Sequence, residues 1–248
     1  MRKRISSVVV LLFIITCLTT SLKAQVILNV ESGVVNTGYN DVRIPGNEGT
    51  FISLKDDLIP SSEFYYRLRL NYTFGSAHTL SLLYAPLTVK SYGRINKDVN
   101  FAGMVFSANK DLSGSYKFNS YRLTYRYDFV QNHNFDFGLG FTAKIRDASI
   151  KISSQGTSAE KSNVGFVPII NFRLFFRTGD DFGFLFEGDA LAAKQGRAVD
   201  VLLAASYRLT NQIGIRAGYR ILEGGADNDE VYNFALLHYL SVGLSFKF

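Results

Sequence analysis

Cysteine is almost absent from this sequence: the 248 residues contain one, Cys17, and it lies inside an N-terminal apolar run. From Gln25 onward neither a disulfide framework nor a thiolate metal site can be assembled. Histidine is nearly as scarce, with His78, His133 and His238 the three in the chain, which narrows the acid–base chemistry on offer. Long apolar runs are missing after the first 24 residues; charges and glycines break every stretch before it reaches the roughly 20 residues of a membrane helix. Charge of one sign is missing too. The chain carries 27 Lys and Arg against 21 Asp and Glu, a formal +6, but Arg2, Lys3, Arg4 and Lys23 sit in the first 24 residues without an acid among them. Residues 25–248 therefore hold 23 basic side chains against 21 acidic ones, which gives no argument for a nucleic-acid partner. No linker, low-complexity tract or solenoid repeat divides them, and their length fits one domain.

The first 24 residues contain what the rest lacks. Basic MRKR, the apolar run ISSVVVLLFIITCLTT and the small Ala24 predict a secretory signal peptide over 1–24, cleaved after Ala24 and exported by a Sec-type route. Thr16 before Cys17 is a poor match to a lipoprotein motif, so lipidation is not the reading adopted.

From there on, alternation with a period of two recurs. In Glu63 to Phe74 one face is Phe64, Tyr66, Leu68, Leu70, Tyr72 and Phe74, and the other is Tyr65, Arg67, Arg69, Asn71 and Thr73. That pattern predicts a β-strand with one apolar face. The stretches around 121–129, 135–144, 166–177, 182–189, 199–208, 213–220 and 232–248 repeat it, and weaker versions lie at 25–35 and 79–89, so ten strands are predicted. The connections alternate in length. Those at 75–78, 130–134, 178–181 and 210–212 are short; those at 36–62, 90–115, 147–163, 192–197 and 223–231 are mostly longer, and Val99 to Ala108 is expected to extend its neighbouring strands. An even strand number with long and short connections at opposite ends predicts an all-β fold: a ten-stranded antiparallel transmembrane β-barrel over 25–248, with short periplasmic turns and longer extracellular loops.

A soluble barrel would need the same alternation with the aromatic stripe as its core. The polar stripe, however, mixes charges with Gly33, Gly138, Gly140, Gly183, Gly214 and Gly218, and small residues beside charged ones suit a narrow polar lumen better than a solvated sheet face. Aromatic residues also gather toward strand ends, as interfacial girdles do. The closing LSVGLSFKF places Leu240, Val242, Leu244, Phe246 and Phe248 on one face. It resembles the C-terminal insertion signal of Gram-negative outer-membrane barrels. The stretches VGFVPIINFR, GDALAAKQGRAVDVLLAASYRL and GYRILEGGADNDEVYNFALLHY are similar to those of an uncharacterised family of small outer-membrane β-barrel proteins. The resemblance implies fold and location, the outer membrane reached through the barrel-assembly machinery with lipid and lipopolysaccharide as surroundings, and brings no activity with it.

Parity turns a set of charges into the lumen. Arg67, Arg69, Arg122, Arg126, Lys144, Arg173, Arg216 and Arg220 are expected to face Glu31, Glu187, Asp189 and Asp200 there. Hairpin geometry brings Arg173 near Glu187, Asp189 toward Asp200, and Asp200 toward Arg220. A ten-stranded lumen is narrow enough for such a set to fill it as a mutually satisfied polar core. The alternative is a constricted passage or pocket in which excess arginine, Arg216 and Arg220 above all, selects small anionic solutes.

Catalysis has little to work with. His78 and His133 fall in short turns and His238 on the lipid-facing side, whereas a barrel lipid A deacylase carries a His-x-Ser arrangement on one face; here Ser241 is three residues from His238 and on the opposite face. An omptin-like protease needs an inward rim histidine beside acid pairs. Asp227, Asp229 and Glu230 read as a solvated acidic loop, since the spacing lacks the glycine and distal glutamate of a calcium loop. Neither a catalytic set, a metal nor a cofactor is expected. Phe51, Ile52, Leu54, Leu58 and Ile59 in the first long connection predict a packed turn or lid over the mouth. The reading is a barrel with a charged, largely filled lumen and a structural or interaction role through 36–62 and 90–115. Passage or binding of small solutes is the alternative, and a lipid-modifying enzyme the second; the oligomeric state stays open.

Overall fold

Every second side chain of a β-strand points to the same face, and in this chain that rule closes a ring. The computed structural model describes residues 25–193 and 196–248; the predicted signal peptide lies outside them. Fifteen strands are present in chain order: β1 (Gln25–Arg43), β2 (Ile52–Ser53), β3 (Ile59–Pro60), β4 (Glu63–Phe74), β5 (His78–Ala85), β6 (Thr88–Arg94), β7 (Val99–Phe101), β8 (Met104–Phe106), β9 (Asp111–Gln131), β10 (Phe135–Ser154), β11 (Thr157–Arg177), β12 (Phe182–Ala193), β13 (Gly196–Arg208), β14 (Ile213–Asp227) and β15 (Tyr232–Lys247). Each of β9 to β14 pairs antiparallel with its successor, β15 returns to β1, and β1–β4–β5–β9 completes a transmembrane barrel of ten strands. Pro86 interrupts the strand beside β9, so β5 and β6 both pair with it in line. Closure takes up the edges that a hydrocarbon phase cannot satisfy, except along β11 above Ile170, which among the described residues pairs with β10 alone.

The long hairpins carry an inversion of polarity. Along β9 the outward residues from Phe129 to Tyr121 are apolar or aromatic and exposed, while Arg126, Thr124 and Arg122 point inward. Above Ser120 the sides exchange character: Asn119, Lys117 and Ser115 face out, and Phe118, Tyr116 and Leu112 face in. β10 makes the same change near Arg146, from Phe141 outside and Thr142 inside to Lys151 outside and Ile150 and Ile152 inside. A sheet face that is apolar only up to one level, on neighbouring strands, marks where hydrocarbon ends and water begins. Aromatic rows edge the belt. Tyr66, Tyr84 and Tyr121 contact one another at the upper margin, with centroids 6.1 and 5.4 Å apart, and His78, Tyr127, Phe129 and Phe137 do so at the lower margin.

Above the belt the barrel is filled like a soluble protein. The segments 44–58 and 95–106 fold into its mouth, tied by backbone hydrogen bonds from Thr50 N–H to the Asn100 carbonyl (2.8 Å) and from Ala102 N–H to that of Ile44 (2.9 Å). Ile52, Leu54, Leu58, Val99 and Phe101 are buried against Val35, Leu112, Tyr116, Ile152 and Leu237 on the wall. Burying one such side chain is worth about 1.5–3 kcal/mol, so this plug is held by its own core. Asp57 accepts the Ser53 N–H at 2.8 Å and shapes the turn between the buried residues.

The connections differ from the sequence expectation in kind. What reads as a loop at 147–163 is a regular hairpin, turning on Gln155 and Gly156 with φ of 48° and 83°, values that a two-residue type I′ turn requires. Strands β1, β9 and β14 likewise run into 36–43, 111–115 and 223–227, whereas β15 begins at Tyr232 as expected. Val99 to Ala108 does not extend the neighbouring strands; β7 and β8 form a separate ribbon inside the plug. Of the predicted lid residues, Ile52, Leu54 and Leu58 are buried, whereas Phe51 and Ile59 are exposed.

Candidate functional site

At mid-height the lumen is crossed by an ionic layer. Arg220 on β14 donates through Nε to Glu31 Oε1 at 2.8 Å, through Nη2 to Glu31 Oε2 at 2.8 Å and through Nη1 to Asp200 Oδ1 at 2.6 Å. Asp200 on β13 also accepts from Arg67 on β4 at 2.8 Å and from Arg122 on β9. Arg122 reaches Asp189 on β12 with its other nitrogen, and Asp189 accepts from Thr142 at 2.7 Å and from the Asn171 amide at 2.9 Å. The Tyr65 hydroxyl donates to Ser241 at 2.6 Å, and its ring meets Tyr239 edge-on with centroids 4.7 Å apart. The cluster therefore includes the expected neighbours Asp189, Asp200 and Arg220 and reaches across the lumen to Glu31, Arg67 and Arg122. Like-charged Asp189 and Asp200, paired in register across β12 and β13, are offset by the guanidinium groups between them.

Below this layer Arg216 bonds Glu31 at 3.1 Å and lies 3.7 Å from Glu187, which Arg173 approaches to 3.9 Å. Arg126 pairs with Asp128 at 2.8 Å and Arg177 with Asp136 nearer the short turns. Inward glycines make the room: a Cβ on Gly243 would stand 2.7 Å from Arg216 Nε, and one on Gly138 2.1 Å from Asp128 Oδ1. Arg69 lies half-buried among these groups without an ion pair to a described residue.

Lys144 differs from the rest. It is buried at 3% exposure, and no described carboxylate lies within ion-pairing distance; its ammonium rests 4.7 Å over the Phe118 ring. It stands on the upper side of the ionic layer, on the wall of a cavity of about 860 Å³. The cavity opens toward the long hairpins, between the plug and the inner faces of β10 to β14, and Asp189 and Asp200 form part of its floor. Tyr116, Phe118, Val167, Ile169, Leu191 and Val199 give it largely apolar walls. Arg146, also on the wall, donates to Asn163 at 2.7 Å and leaves its Nε buried without a partner. The expected filling of the lumen is thus corrected on the upper side of the ionic layer, where this cavity lies; below the layer the charged side chains pair across the interior.

The wall beside this cavity is incomplete. β11 pairs with β12 from Arg177↔Gly183 up to Ile170↔Ala190, and among the described residues 157–169 pair with β10 alone. Pro168, which has no N–H to give to a neighbour, sits in that stretch; a proline in mid-strand belongs at an edge. The cavity is bounded by inward Val167 and Ile169 and by outward Phe166 and Pro168 alike, so it wraps the free edge of β11. Pro168 was the sequence signal for this seam, and pattern reading passed over it because the stripe continues unbroken through it.

The remaining predicted residues lie outside this site. Leu240, Val242, Leu244 and Phe248 are exposed on the outer face, with Phe246 half-exposed beside them. His78 bonds the Tyr125 hydroxyl at 2.8 Å on the same outer face, His238 bonds and stacks on Tyr219 there, and His133 is exposed in a short turn. Glu230 of the acidic loop pairs with Lys161 at 3.1 Å. Among the described residues no group of three or more His, Cys, Asp or Glu is placed to hold a metal ion.

No protein-family model and no curated protein matches the chain. Among solved structures it is similar to the outer-membrane protease OmpT from Escherichia coli, at 10% identity over 93% of this chain and 99% of that one, with a TM-score of 0.56. It is also similar to Ail, the attachment invasion locus protein of Yersinia pestis (13% identity, 90% and 99% covered, TM-score 0.41), and to Neisserial surface protein A (17%, 89% and 97%, TM-score 0.37). The first of these shows a shared barrel fold; at 10% identity its chemistry does not transfer.

Proposed function

We propose that this chain is an integral protein of the bacterial outer membrane, with its long hairpins outside, and that it works as a blind receptacle: it takes up a small solute from the outer side and does not conduct it. The observation that carries this reading is the position of the cavity, which ends on the layer of Arg67, Arg122, Arg220, Asp189 and Asp200. A pocket of about 860 Å³ is the size that small ligands use, and the layer beneath it leaves no side chain free to swing aside without stranding a buried charge. Export through the signal peptide, insertion through Leu240 to Phe248 and contact with lipopolysaccharide at the belt are parts of the same reading.

An interaction role through 36–62 and 90–115 is the weaker reading, because those segments turn Ile52, Leu54, Leu58, Val99 and Phe101 inward. A binding role rather than a catalytic one agrees with the three histidines, of which two bond tyrosines on the outer face and one lies in a short turn. The test is planar-bilayer recording on purified protein. The expected result is no large steady conductance; porin-sized openings would overturn the receptacle.

A further inference from the structure

We infer that the cavity takes an aliphatic carboxylate, a single acyl tail with a monoanionic head, and that the head sits on Lys144 while the tail leaves through the seam between β11 and β12. The inference rests on the receptacle reading and names its ligand class.

Three observations meet at one level of the barrel. The first is the cation. Lys144 is buried and has neither a hydrogen bond nor an ion pair to a described residue, although Arg122, which faces it in register, is paired with two carboxylates. Asp189 and Asp200 on the floor are each held by arginine and a further donor, so they are already compensated. A buried ammonium of this kind is best stabilised by an anion that arrives with its own shape. Arg146 adds a second donor with an unfilled nitrogen.

The second observation is the wall. Its side chains near Lys144 are apolar: Val167 lies opposite it in register, and Phe118, Ile169, Leu191 and Val199 stand around it. A hydrophilic anion such as inorganic phosphate would leave most of its oxygens facing carbon there, at a cost in desolvation. A carboxylate confines its charge to one end and meets carbon with carbon elsewhere.

The third is the seam. Lys144 pairs in register with Val167, within the part of β11 that β12 does not cover. The cavity therefore reaches the outer surface at the height of Lys144, where Phe166 is exposed in the lipid belt. A tail lying in this opening moves from one apolar medium to another, so it gains little by the transfer. Selection consequently falls on the head group, and the seam supplies entry from the lipid without passage through the plug.

The test uses the full chain in nanodiscs of zwitterionic phosphatidylcholine and a palmitate carrying a photoreactive diazirine a few carbons from its carboxylate. Expected are cross-links to Phe166–Ile169, Leu191 or Val199, abolished by excess unlabelled palmitate and not by hexadecanol. Lys144→Gln should weaken palmitate binding about tenfold or more, and Lys144→Arg should retain it; both variants are first checked for the folded barrel's faster migration on unheated gels. Labelling confined to the outer belt, at Phe141 or Leu244, and untouched by competitor would overturn the inference, as would equal binding by Lys144→Gln. Conductance on the same preparation separates the two readings. A closed barrel indifferent to palmitate overturns the acyl ligand and leaves the receptacle standing, whereas porin-sized openings overturn both.

Discussion

Arg220 holds two carboxylates that come from opposite ends of the chain, Glu31 and Asp200. Replacing it with methionine keeps most of the side-chain volume and removes the charge, so that two buried carboxylates lose a partner at once. Breaking a buried ion pair from one side costs about 3–5 kcal/mol. Arg220→Met should therefore lower stability by about that amount, read as a fall in the urea midpoint of the refolded protein in lipid vesicles. A midpoint within error of the parent would show that the layer is not a source of stability. Parity alone was enough to place Arg220, Glu31, Arg67 and Asp200 inside, because a strand with one lipid face has one lumen face. Their partners were not legible. Glu31 and Arg220 stand on β1 and β14, strands that β15 separates, and a reach across two strands depends on side-chain length and on the glycines beside them. Lys144 carried the same parity signal as the arginines, and only the packed structure distinguishes it as a fully buried cation on the cavity wall without a described carboxylate beside it.

The strands divide into two zones, and the plug belongs to the upper one. Removal of Gly46 to Ile59 takes Ile52, Leu54 and Leu58 out of the mouth and exposes Val35, Leu112 and Ile152. The belt strands keep their ladders and their lipid face, so the shortened protein should still insert and still migrate as a folded barrel. Its hairpins, however, should lose their resistance to protease, with cuts appearing above Ser120 and Arg146. Unchanged protease resistance would mean that the plug is ornamental. Here the sequence misled in an informative way. Residues 147–163 looked like a loop because their outward side chains are polar and their inward ones, Ala148, Ile150, Ile152 and Ala159, are few and small. The alternation is present, with its faces exchanged relative to the belt. A reading that searches for one constant lipid-facing parity stops where the membrane stops, although the strand goes on.

On the scale of the molecule, the described residues contain no cysteine, which makes sidedness simple to measure. Lys110 is exposed at the long-hairpin end and His133 at the short-turn end. With the long hairpins outside, a membrane-impermeant maleimide added to intact cells should label Lys110→Cys and leave His133→Cys unlabelled until the cells are broken. The reverse pattern would invert the proposed orientation. Strand number, pairing order and the lipid face were all available from periodicity and connection lengths. The seam was not, since it is made by pairs that fail to form.

The mid-height layer also has a consequence for energetics. On the receptacle reading, a compartment closed at its floor equilibrates with the outer side and the lipid beside its seam alone: neither membrane potential nor an ion gradient can fill it or empty it, and its occupancy is a saturable readout of what those two phases hold. With one such site per barrel on that reading, the number of copies in the membrane sets the capacity, and the dissociation constant sets the concentration at which it is half used. A barrel built in this way stores or reports, and any onward delivery must be done by some other molecule.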